Sequence, residues 1–477
     1  MIVSALSKLA ERDPERIFAT LNGEHLTIGH LHQAASSFAE HITARGLRPG
    51  DRAAVMMQNS LEAICVVYGL GLAGVAWVPV NPRLVGQSLS YLLDHSEPQL
   101  VICDEEFRTS VHVSDLITHG PEGRLNAILN AQVTFDASAR SDDDLFAIMY
   151  TSGTTGPPKG VMITHRMMAF AGQGVRQATD ARGGEVMFMW EPLYHIGGAQ
   201  MLILPLLVPV TLALVPRFSA SRFWDEVKAA GATHIHYLGG ILQMLLKQPP
   251  RPDDRSHGVR LAWGGGCPRE TWVQFEERFA IPIHECYGMS EASSLTSANG
   301  NGVVGSVGLP MEWLEVTIAD PDDTGRGEIL VRQRRPGALF SGYFKNPDAT
   351  AKALRGDTLH TGDLGSLDEA GNLYFHGRMN DSIRVKGELV SAWEVESVAA
   401  SHADVEECAA VGVDADVGEQ EIVLFVKLQQ GAKLTVTDLA AWLAPRLAAH
   451  QQPARYRVVD DFPRTPSQRI IKGQLRD

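Results

Sequence analysis

Residues 145–160 read LFAIMYTSGTTGPPKG and join two different kinds of sequence. The first six, residues 145–150, form an apolar run of strand length. The next ten, residues 151–160, contain three Thr, one Ser, three Gly and Lys159. The sequence therefore predicts a buried strand that runs directly into a loop rich in hydroxyl and backbone N–H groups.

Such a loop suits the binding of phosphate. Backbone N–H groups and hydroxyls can face phosphate oxygens, and Lys159 supplies a counter-charge. The loop is not a Walker A loop, because the G-x-x-x-x-G-K-[ST] spacing is absent. Composition alone leaves a second interpretation open, which is a flexible surface loop.

The alternation of short and long apolar runs predicts the fold class. Strand-like runs at residues 53–57, 75–80 and 100–103 alternate with longer amphipathic runs at residues 61–72 and 84–93. This pattern predicts an α/β fold with mostly parallel sheets in a large N-terminal domain of several subdomains. Beyond about residue 325, short strands and Gly-rich turns follow. We predict an N-terminal domain at 1–380 and a small α+β C-terminal domain at 381–477.

Composition excludes several classes of protein. The 477 residues carry 42 Lys+Arg against 56 Asp+Glu, a net charge of −14, so we expect no nucleic-acid partner. Five scattered cysteines without C-x-x-C argue against a disulfide framework or a cysteine-rich zinc site, and favour a cytoplasmic location. The most apolar run, residues 201–216, contains three prolines. We therefore expect it in the core, and we expect no transmembrane segment.

Three local patterns resemble known sites but do not fit them. Residues 69–74 match G-x-G-x-x-G, but a helix precedes them and a strand follows, the reverse of a dinucleotide site. Residues 288–292, GMSEA, lack the final Gly of a nucleophile elbow. The pairs His30/His32 and His234/His236 have a spacing that suits one strand face. With no evident paired carboxylate, they indicate core or surface histidines rather than a metal site.

Beyond composition, the loop is very close to the signature loop of the adenylate-forming superfamily. That family includes acyl-CoA synthetases, peptide-synthetase adenylation domains and beetle luciferases. Further segments resemble its motifs in the same order. They are PLYHIGG (192–198), GGGCP (264–268), YGMSE (287–291), TGDL (361–364), GRMND (377–381), KGELVSAWEVE (386–396) and residues 463–476. The resemblance spans residues 10–477 and is closest to the crotonobetaine/carnitine-CoA ligase-like branch.

The resemblance implies an AMP-forming acid–thiol ligase that uses ATP, Mg²⁺ and CoA. A carboxylate attacks the α-phosphate of ATP and releases pyrophosphate, and a thiol then displaces AMP from the acyl-adenylate. Bringing an anion to a polyanion requires charge neutralisation. The resemblance also implies that the C-terminal domain is a mobile lid that rotates between the two steps about a hinge near Asp381.

The matching positions imply the site residues. As nucleotide- and CoA-binding residues we expect Thr151, Ser152, Gly153, Thr154, Thr155, Gly156, Lys159, Gly265, Gly266, Tyr287, Gly288, Ser290, Asp363, Arg378 and Gly387. Tyr287 would stack on adenine, Asp363 would accept hydrogen bonds from the ribose hydroxyls, Arg378 would contact the ribose or a phosphate, and Gly387 would let pantetheine pass. The implied Mg²⁺ ligands are Glu291 and Thr155. The implied catalytic residues are Glu291, His195, Arg469 and Lys472.

One motif departs from the family pattern. The last motif of the family reads P-x-T-x-x-G-K, but residues 463–472 read PRTPSQRIIK, with Gln468 and Arg469 in place of Gly and Lys. Arginine keeps the charge but is planar and bulkier than lysine. Three hypotheses follow: Arg469 does the work of the lysine, Lys472 reaches the site instead, or adenylation is weakened or lost.

The acid itself cannot be identified from the sequence. We expect the acyl pocket near residues 194–200, 236–241 and 262–266, with His236, Tyr237, Leu238 and Trp263 among its residues. Free CoA is the expected thiol. The alternatives are a stand-alone adenylation enzyme that loads a carrier protein and a nucleotide-binding homologue with weakened catalysis. A homodimer is left open.

Overall fold

Helices and strands alternate through most of the chain in the computed structural model, which describes residues 2–111, 113, 115–137, 140–151, 158–385, 388–414, 420–464 and 470–475. The helices are α1 (Ile2–Arg12), α2 (Ile28–Ala44), α3 (Leu61–Ala73), α4 (Gly86–Ser96), α5 (Leu125–Leu129), α6 (His165–Thr179), α7 (Ile196–Ala199), α8 (Leu204–Leu207), α9 (Phe223–Ala229), α10 (Ile241–Leu246), α11 (Arg269–Phe279), α12 (Pro347–Ala353), α13 (Ala392–Ala400) and α14 (Val436–Leu443).

The strands of the described residues fall into five sheets. They are β1 (Ile17–Leu21), β2 (Glu24–Thr27), β3 (Arg52–Met56), β4 (Ala76–Pro79), β5 (Leu100–Asp104), β6 (Leu116–His119), β7 (Leu145–Thr151), β8 (Lys159–Thr164), β9 (Val186–Met189), β10 (Thr211–Leu214), β11 (His234–Leu238), β12 (Leu261–Gly265), β13 (Ile283–Tyr287), β14 (Ser297–Ala298), β15 (Leu309–Pro310), β16 (Leu314–Ala319), β17 (Gly327–Gln333), β18 (Leu354–Arg355), β19 (Thr358–Leu367), β20 (Leu373–Arg378), β21 (Ser382–Val385), β22 (Glu388–Ser391), β23 (Val405–Asp414), β24 (Gln420–Leu428) and β25 (Arg455–Val458).

A six-stranded sheet carries the phosphate-type loop. Its order is β6-β5-β3-β4-β7-β8, and all neighbours are parallel except β7 and β8. Strands β3 and β5 are apolar and largely buried, as parallel strands covered on both faces are. Strand β7 confirms the predicted strand and ends at Thr151, which pairs with Lys159 of β8. The two ends of the loop are thereby fixed side by side.

A nine-stranded sheet provides the opposite wall. Its order is β15-β14-β13-β12-β11-β9-β10-β1-β2, and the strands from β13 to β1 are parallel. Helix α6 contacts β7 of the first sheet and β12 and β13 of the second. The carboxyl ends of β10, β9, β11, β12 and β13 therefore meet at one edge, where ligands bind in open α/β sheets.

Smaller, mostly antiparallel units complete the described part of the chain, and β24 and β25 are the one parallel pair among them. A five-stranded sheet is built from β16, β17, β19, β18 and β20, and β21–β22 and β23–β24–β25 follow it. The last two sheets and helices α13 and α14 share a hydrophobic cluster that includes Ile383, Val395 and Leu443. The predicted fold class is confirmed. The boundary at 380/381 stays a prediction, and it falls in a 3-10 turn, Met379–Asp381, between β20 and β21.

The structure shows where the glycine pattern at residues 69–74 and the two histidine pairs lie. Residues 69–74 lie at the end of buried helix α3, which ends at Gly74 in the left-handed conformation, so the dinucleotide interpretation fails as expected. His234 and His236 lie on strand β11 as predicted, but His30 and His32 lie on helix α2, so their assignment to a strand was wrong. Most of the apolar run 201–216 is buried, namely residues 201–205, 208, 210 and 212–214, whereas residues 207, 209 and 216 are exposed. In the described residues, no helix is long and apolar enough to cross a membrane.

Candidate active site

A cavity of about 1990 Å³ opens where the two large sheets meet the five-stranded sheet. Most of the predicted site residues that the structure describes line it. They are Thr151, Lys159, His195, Gly265, Gly266, Tyr287, Gly288, Ser290, Glu291, Asp363 and Arg378. The predicted residues Ser152, Gly153, Thr154, Thr155, Gly156, Gly387 and Arg469 lie outside the described residues.

Asp363 lies at the centre of a polar cluster in this cavity. Its side chain is buried, the Tyr287 hydroxyl donates to its Oδ2 at 2.7 Å, and Arg378 Nε lies 3.0 Å from its Oδ1. Asp363 of β19 pairs directly with Arg378 of β20, so the antiparallel register brings the two side chains together. Burial and the neighbouring Asp363 carboxylate raise the pKa of Tyr287 well above its usual value. The carboxylate is therefore held in place by a hydrogen bond from Tyr287 and an ion pair with Arg378.

The Tyr287 ring has an aromatic neighbour within the protein. Phe375 stacks on it with ring centroids 5.6 Å apart and planes 29° apart, and both rings line the cavity. Gly288 follows Tyr287 where a second segment passes close to the backbone, so that an added Cβ would lie 1.7 Å from the Ser294 carbonyl oxygen. Only glycine fits there.

A second cluster joins Lys159 and Glu291 through Tyr343. The Tyr343 hydroxyl donates to Glu291 Oε1 at 2.8 Å, and Lys159 Nζ lies 5.0 Å from the centroid of the Tyr343 ring. Burial and the Glu291 carboxylate raise the pKa of Tyr343. Tyr343 was not predicted as a site residue, because none of the recognised motifs contains it.

The metal-ligating side chains of this cavity suit Mg²⁺ bound together with phosphate. Among the described residues, no three His, Cys, Asp or Glu side chains cluster in a way that could hold a metal ion. Glu291 offers one carboxylate, and its Oε2 accepts no hydrogen bond from the described residues. Mg²⁺ commonly uses one or two carboxylates plus substrate phosphates and water, so this arrangement fits it.

Glu285 is a buried acid on the cavity wall that was not predicted as a site residue. The backbone N–H groups of Gly266 and Cys267 donate to its Oε1 at 2.6 Å and 2.9 Å, and the Tyr237 hydroxyl donates to its Oε2. Burial raises the pKa of Glu285 to about 7 despite these three donors. Glu285 therefore holds the glycine loop that follows β12 in its place on the cavity wall. The sequence contains one indication of this buried acid, which is a charged residue in the middle of the otherwise buried strand IHECY.

Replacing Glu285 with glutamine is expected to remove a pH-dependent loss of stability. The pKa of Glu285 rises from 4.5 to about 7 on folding, so folding takes up a proton between these values. The free energy of unfolding should fall as pH rises through this interval, by on the order of 2–3 kcal/mol. Urea unfolding at about pH 5 and about pH 8 measures this fall, which should be smaller in Glu285→Gln. An equal fall in both proteins would contradict the assignment.

The part of the cavity wall that includes residues expected in the acyl pocket is aromatic. Tyr194, His195, His236 and Trp263 line it, together with Trp190. The rings of His236 and Trp263 meet edge to face with centroids 4.3 Å apart. His236 Nδ1 contacts Glu191 Oε1, and both side chains are buried. The expectation that these histidines have no paired carboxylate was therefore wrong for His236, and also for His234, whose Nε2 lies 3.9 Å from Glu185 Oε2.

Lys472 lies away from the cavity wall in this arrangement. Its Nζ is 2.8 Å from Glu396 Oε1 and 3.5 Å from Asp381 Oδ2. Burial lowers the pKa of Lys472, but the two carboxylates outweigh burial and raise it. The structure therefore places Lys472 between the predicted hinge residue and helix α13, and does not bring it together with Glu291 or Asp363. Among the described residues of this C-terminal segment, Arg464 is the basic residue that lines the cavity.

Comparisons with known proteins agree with this geometry. The model of the AMP-binding enzyme family matches residues 6–344, and that of the AMP-binding enzyme C-terminal domain matches residues 394–469. A 2-succinylbenzoate–CoA ligase of Geobacillus kaustophilus is 31% identical over 99% of this chain and 96% of its own length. A crotonobetaine/carnitine–CoA ligase of Salmonella arizonae is 29% identical over 99% and 97%.

Solved structures of adenylate-forming enzymes are similar to this chain over nearly its whole length. The o-succinylbenzoate CoA synthetase of Bacillus subtilis, in complex with its acyl-adenylate intermediate, has a TM-score of 0.88 at 27% identity and covers 99% of this chain and 98% of its own. ATP-bound MatB from Rhodopseudomonas palustris has a TM-score of 0.88 at 27% identity, with the same coverage. The resemblance stated from the motifs is confirmed: the chain belongs to the AMP-binding enzyme family of adenylate-forming enzymes.

Proposed function

We propose that this protein is an AMP-forming acyl-CoA ligase. It activates a carboxylic acid as an acyl-adenylate with release of pyrophosphate, and then transfers the acyl group to CoA with release of AMP. The observation that carries the proposal is the cavity, which brings Lys159, Glu291, Tyr287, Asp363 and Arg378 to one surface although they are far apart in sequence. Family membership over nearly the whole chain supports it.

In the proposed first step the protein positions ATP and neutralises its charge. Asp363 accepts hydrogen bonds from the ribose hydroxyls, Tyr287 presents its ring to adenine, and Lys159 faces the phosphates from the base of the loop. Glu291 would hold Mg²⁺, which when bound would supply positive charge against the phosphate oxygens. Each role uses a group that the structure already places on the cavity wall.

The proposed second step depends on the C-terminal unit. We infer a domain at 381–477 that turns about Asp381, because the turn Met379–Asp381 separates β20 from β21 and the apolar cluster beyond it is separate. Gly387 would let the pantetheine arm of CoA pass close to the backbone. Lys247 contacts this unit in the present arrangement, since its Nζ donates to the carbonyl oxygen of Val405.

Two further predictions belong to this proposal. A cytoplasmic location is supported by the five cysteines, which are all free thiols, as suits a reducing compartment. A homodimer stays a prediction, and sedimentation equilibrium would decide it.

A panel of carboxylic acids assayed for AMP, with and without CoA, tests the proposed function. We expect acid-dependent AMP formation that is faster with CoA, together with an acyl-CoA product in equal amount. Replacing CoA by a phosphopantetheinylated carrier protein tests the alternative function. Acylation of the carrier but not of CoA would make the chain a stand-alone adenylation enzyme. ATP binding without AMP formation from any acid would favour the homologue with weakened catalysis.

A further inference from the structure

The C-terminal half of helix α4 contacts both ends of the loop between β7 and β8. At the start of the loop, His95 Nδ1 lies 2.7 Å from the hydroxyl oxygen of Tyr150, which belongs to β7. At the end of the loop, the Tyr91 hydroxyl donates to the carbonyl oxygen of Pro158 at 3.2 Å. One helix therefore contacts the chain both where it leads into the loop and where it leads out of it.

The two side chains of α4 also support each other. Tyr91 and His95 are four residues apart and so lie on one face of the helix, where their rings stack with centroids 5.5 Å apart and planes 23° apart. The contact with Tyr150 does not depend on the tautomer of the imidazole, because a tyrosine hydroxyl can both donate and accept a hydrogen bond. Each of the two side chains is thus held by a hydrogen bond and by the neighbouring ring.

A third segment, residues 342–345, packs against the same helix and the same hairpin. The backbone N–H of Phe344 donates to the carbonyl oxygen of Gly160 at 2.8 Å, and the Phe344 ring meets the His95 ring edge to face at 5.8 Å. The Nζ of Lys345 donates to the carbonyl oxygen of His95 at 3.1 Å. Helix α4, the β7–β8 hairpin and this segment therefore form one packed unit.

This unit includes the support of the groups that we propose to face phosphate. Tyr343, the residue before Phe344, donates its hydroxyl to Glu291 Oε1, and its ring centroid lies 5.0 Å from Lys159 Nζ. The ends of the loop and these two charged groups thus share one framework. A binding loop that is held near its bound geometry before the ligand arrives loses less conformational entropy on binding.

We propose that Tyr91 and His95 are positioning residues, and that they hold the loop in the geometry that binds the β- and γ-phosphates of ATP. The inference rests on the proposed function, because that function assigns ATP to the loop. Neither side chain lines the cavity, whereas Tyr150 does. Their effect on ATP therefore passes through the two ends of the loop, Tyr150 and Pro158.

The dissociation constants of ATP and AMP, measured with the full-length protein and Mg²⁺ by isothermal titration calorimetry, test the proposal. AMP keeps the adenine and the ribose but lacks the two phosphates that we assign to the loop. Tyr91→Phe and His95→Leu should each weaken ATP binding by about 5- to 10-fold and AMP binding by less than about 2-fold. No carboxylic acid is present, so the measurement does not depend on whether the protein is a ligase.

A rescue variant and a matched control separate positioning from a general loss of stability. His95→Asn places an amide near the position of Nδ1 and should recover part of the ATP affinity. Tyr68→Phe also removes a tyrosine hydroxyl that donates to a backbone carbonyl, that of Leu202, but in the buried core. It should lower the melting temperature and leave both dissociation constants unchanged.

The outcomes are distinct. A selective loss of ATP affinity in Tyr91→Phe and His95→Leu, with partial recovery in His95→Asn, supports the proposal. Equal weakening of ATP and AMP, or no change in either, overturns it and leaves the proposed ligase function standing. A selective loss of ATP affinity without AMP formation from any acid in the panel would overturn the ligase function alone. Tyr91→Phe keeps the ring and removes one hydroxyl, so the test holds even if His95→Leu does not fold.

Discussion

Replacing Asp363 with alanine is expected to lower kcat/KM for ATP by about 100-fold or more. Asp363 is the buried carboxylate on which Tyr287 and Arg378 converge, and we propose that it binds both ribose hydroxyls. Each hydrogen bond to a charged group contributes about 1.5–3 kcal/mol, so the loss of two accounts for the effect. The loss should appear in the KM for ATP and in kcat, because a displaced ribose also displaces the α-phosphate.

Two variants and one control define this prediction. Asp363→Asn keeps the shape of the side chain and should retain more activity than alanine, while Tyr287→Phe removes a single hydroxyl contact and should cost about 10-fold. Asp357→Asn changes an exposed carboxylate between β18 and β19 and should have no effect. Steady-state kinetics at varied ATP concentration compare these four variants with wild type. An unchanged KM for ATP in a folded Asp363→Ala protein would contradict the ribose role.

Replacing Arg469 with alanine is expected to reduce acid-dependent ATP–pyrophosphate exchange by about 100- to 1000-fold. Arg469 stands where the family has its last lysine. It keeps the positive charge that we expect to stabilise the negative charge developing between the carboxylate and the α-phosphate. Its side chain lies outside the described residues, so the prediction rests on the motif. Arg469→Lys restores the family residue and should keep at least about a tenth of the exchange rate.

Lys472→Ala is the matched comparison, because its cation has a different environment. Lys472 is paired with Glu396 and Asp381, and its loss leaves Glu396 without its cation. We expect a lower melting temperature, from a loss of about 1–3 kcal/mol, and a smaller fall in exchange than in Arg469→Ala. Full exchange in Arg469→Ala together with its loss in a folded Lys472→Ala would assign the role to Lys472 instead.

The sequence was most informative where function depends on contiguous residues. The loop after β7, the YGMSE segment and the TGDL segment were each recognised as motifs, and the structure brings their described residues to one cavity. Helix α3 was predicted from an apolar run of helix length at residues 61–72, and the structure shows Ser60 as its N-cap and Gly74 at its C-terminal end. Motifs and helix-length runs are formed by residues that are neighbours in sequence, so they can be recognised without knowing the tertiary contacts.

Pairs made across strands could not be predicted. Glu191 and His236 are 45 residues apart and meet only because β9 and β11 are neighbours in the sheet. Glu285 gains its raised pKa from burial and from the way the glycine loop folds back over it. Tyr343 lies between recognised motifs and reaches Glu291 from a separate segment. Strand order and burial decide these contacts, and neither follows from the spacing of residues in the sequence.

An isotope-transfer measurement tests the central claim most directly. An acid that the enzyme accepts, labelled with ¹⁸O in its carboxylate, is incubated with ATP, Mg²⁺ and CoA, and the phosphate-containing products are examined by mass spectrometry. If the carboxylate oxygen attacks the α-phosphate, one ¹⁸O atom passes to AMP for each acyl-CoA formed. Label in inorganic phosphate with ADP as the nucleotide product, or acyl-CoA formed with unlabelled AMP, would contradict an acyl-adenylate mechanism.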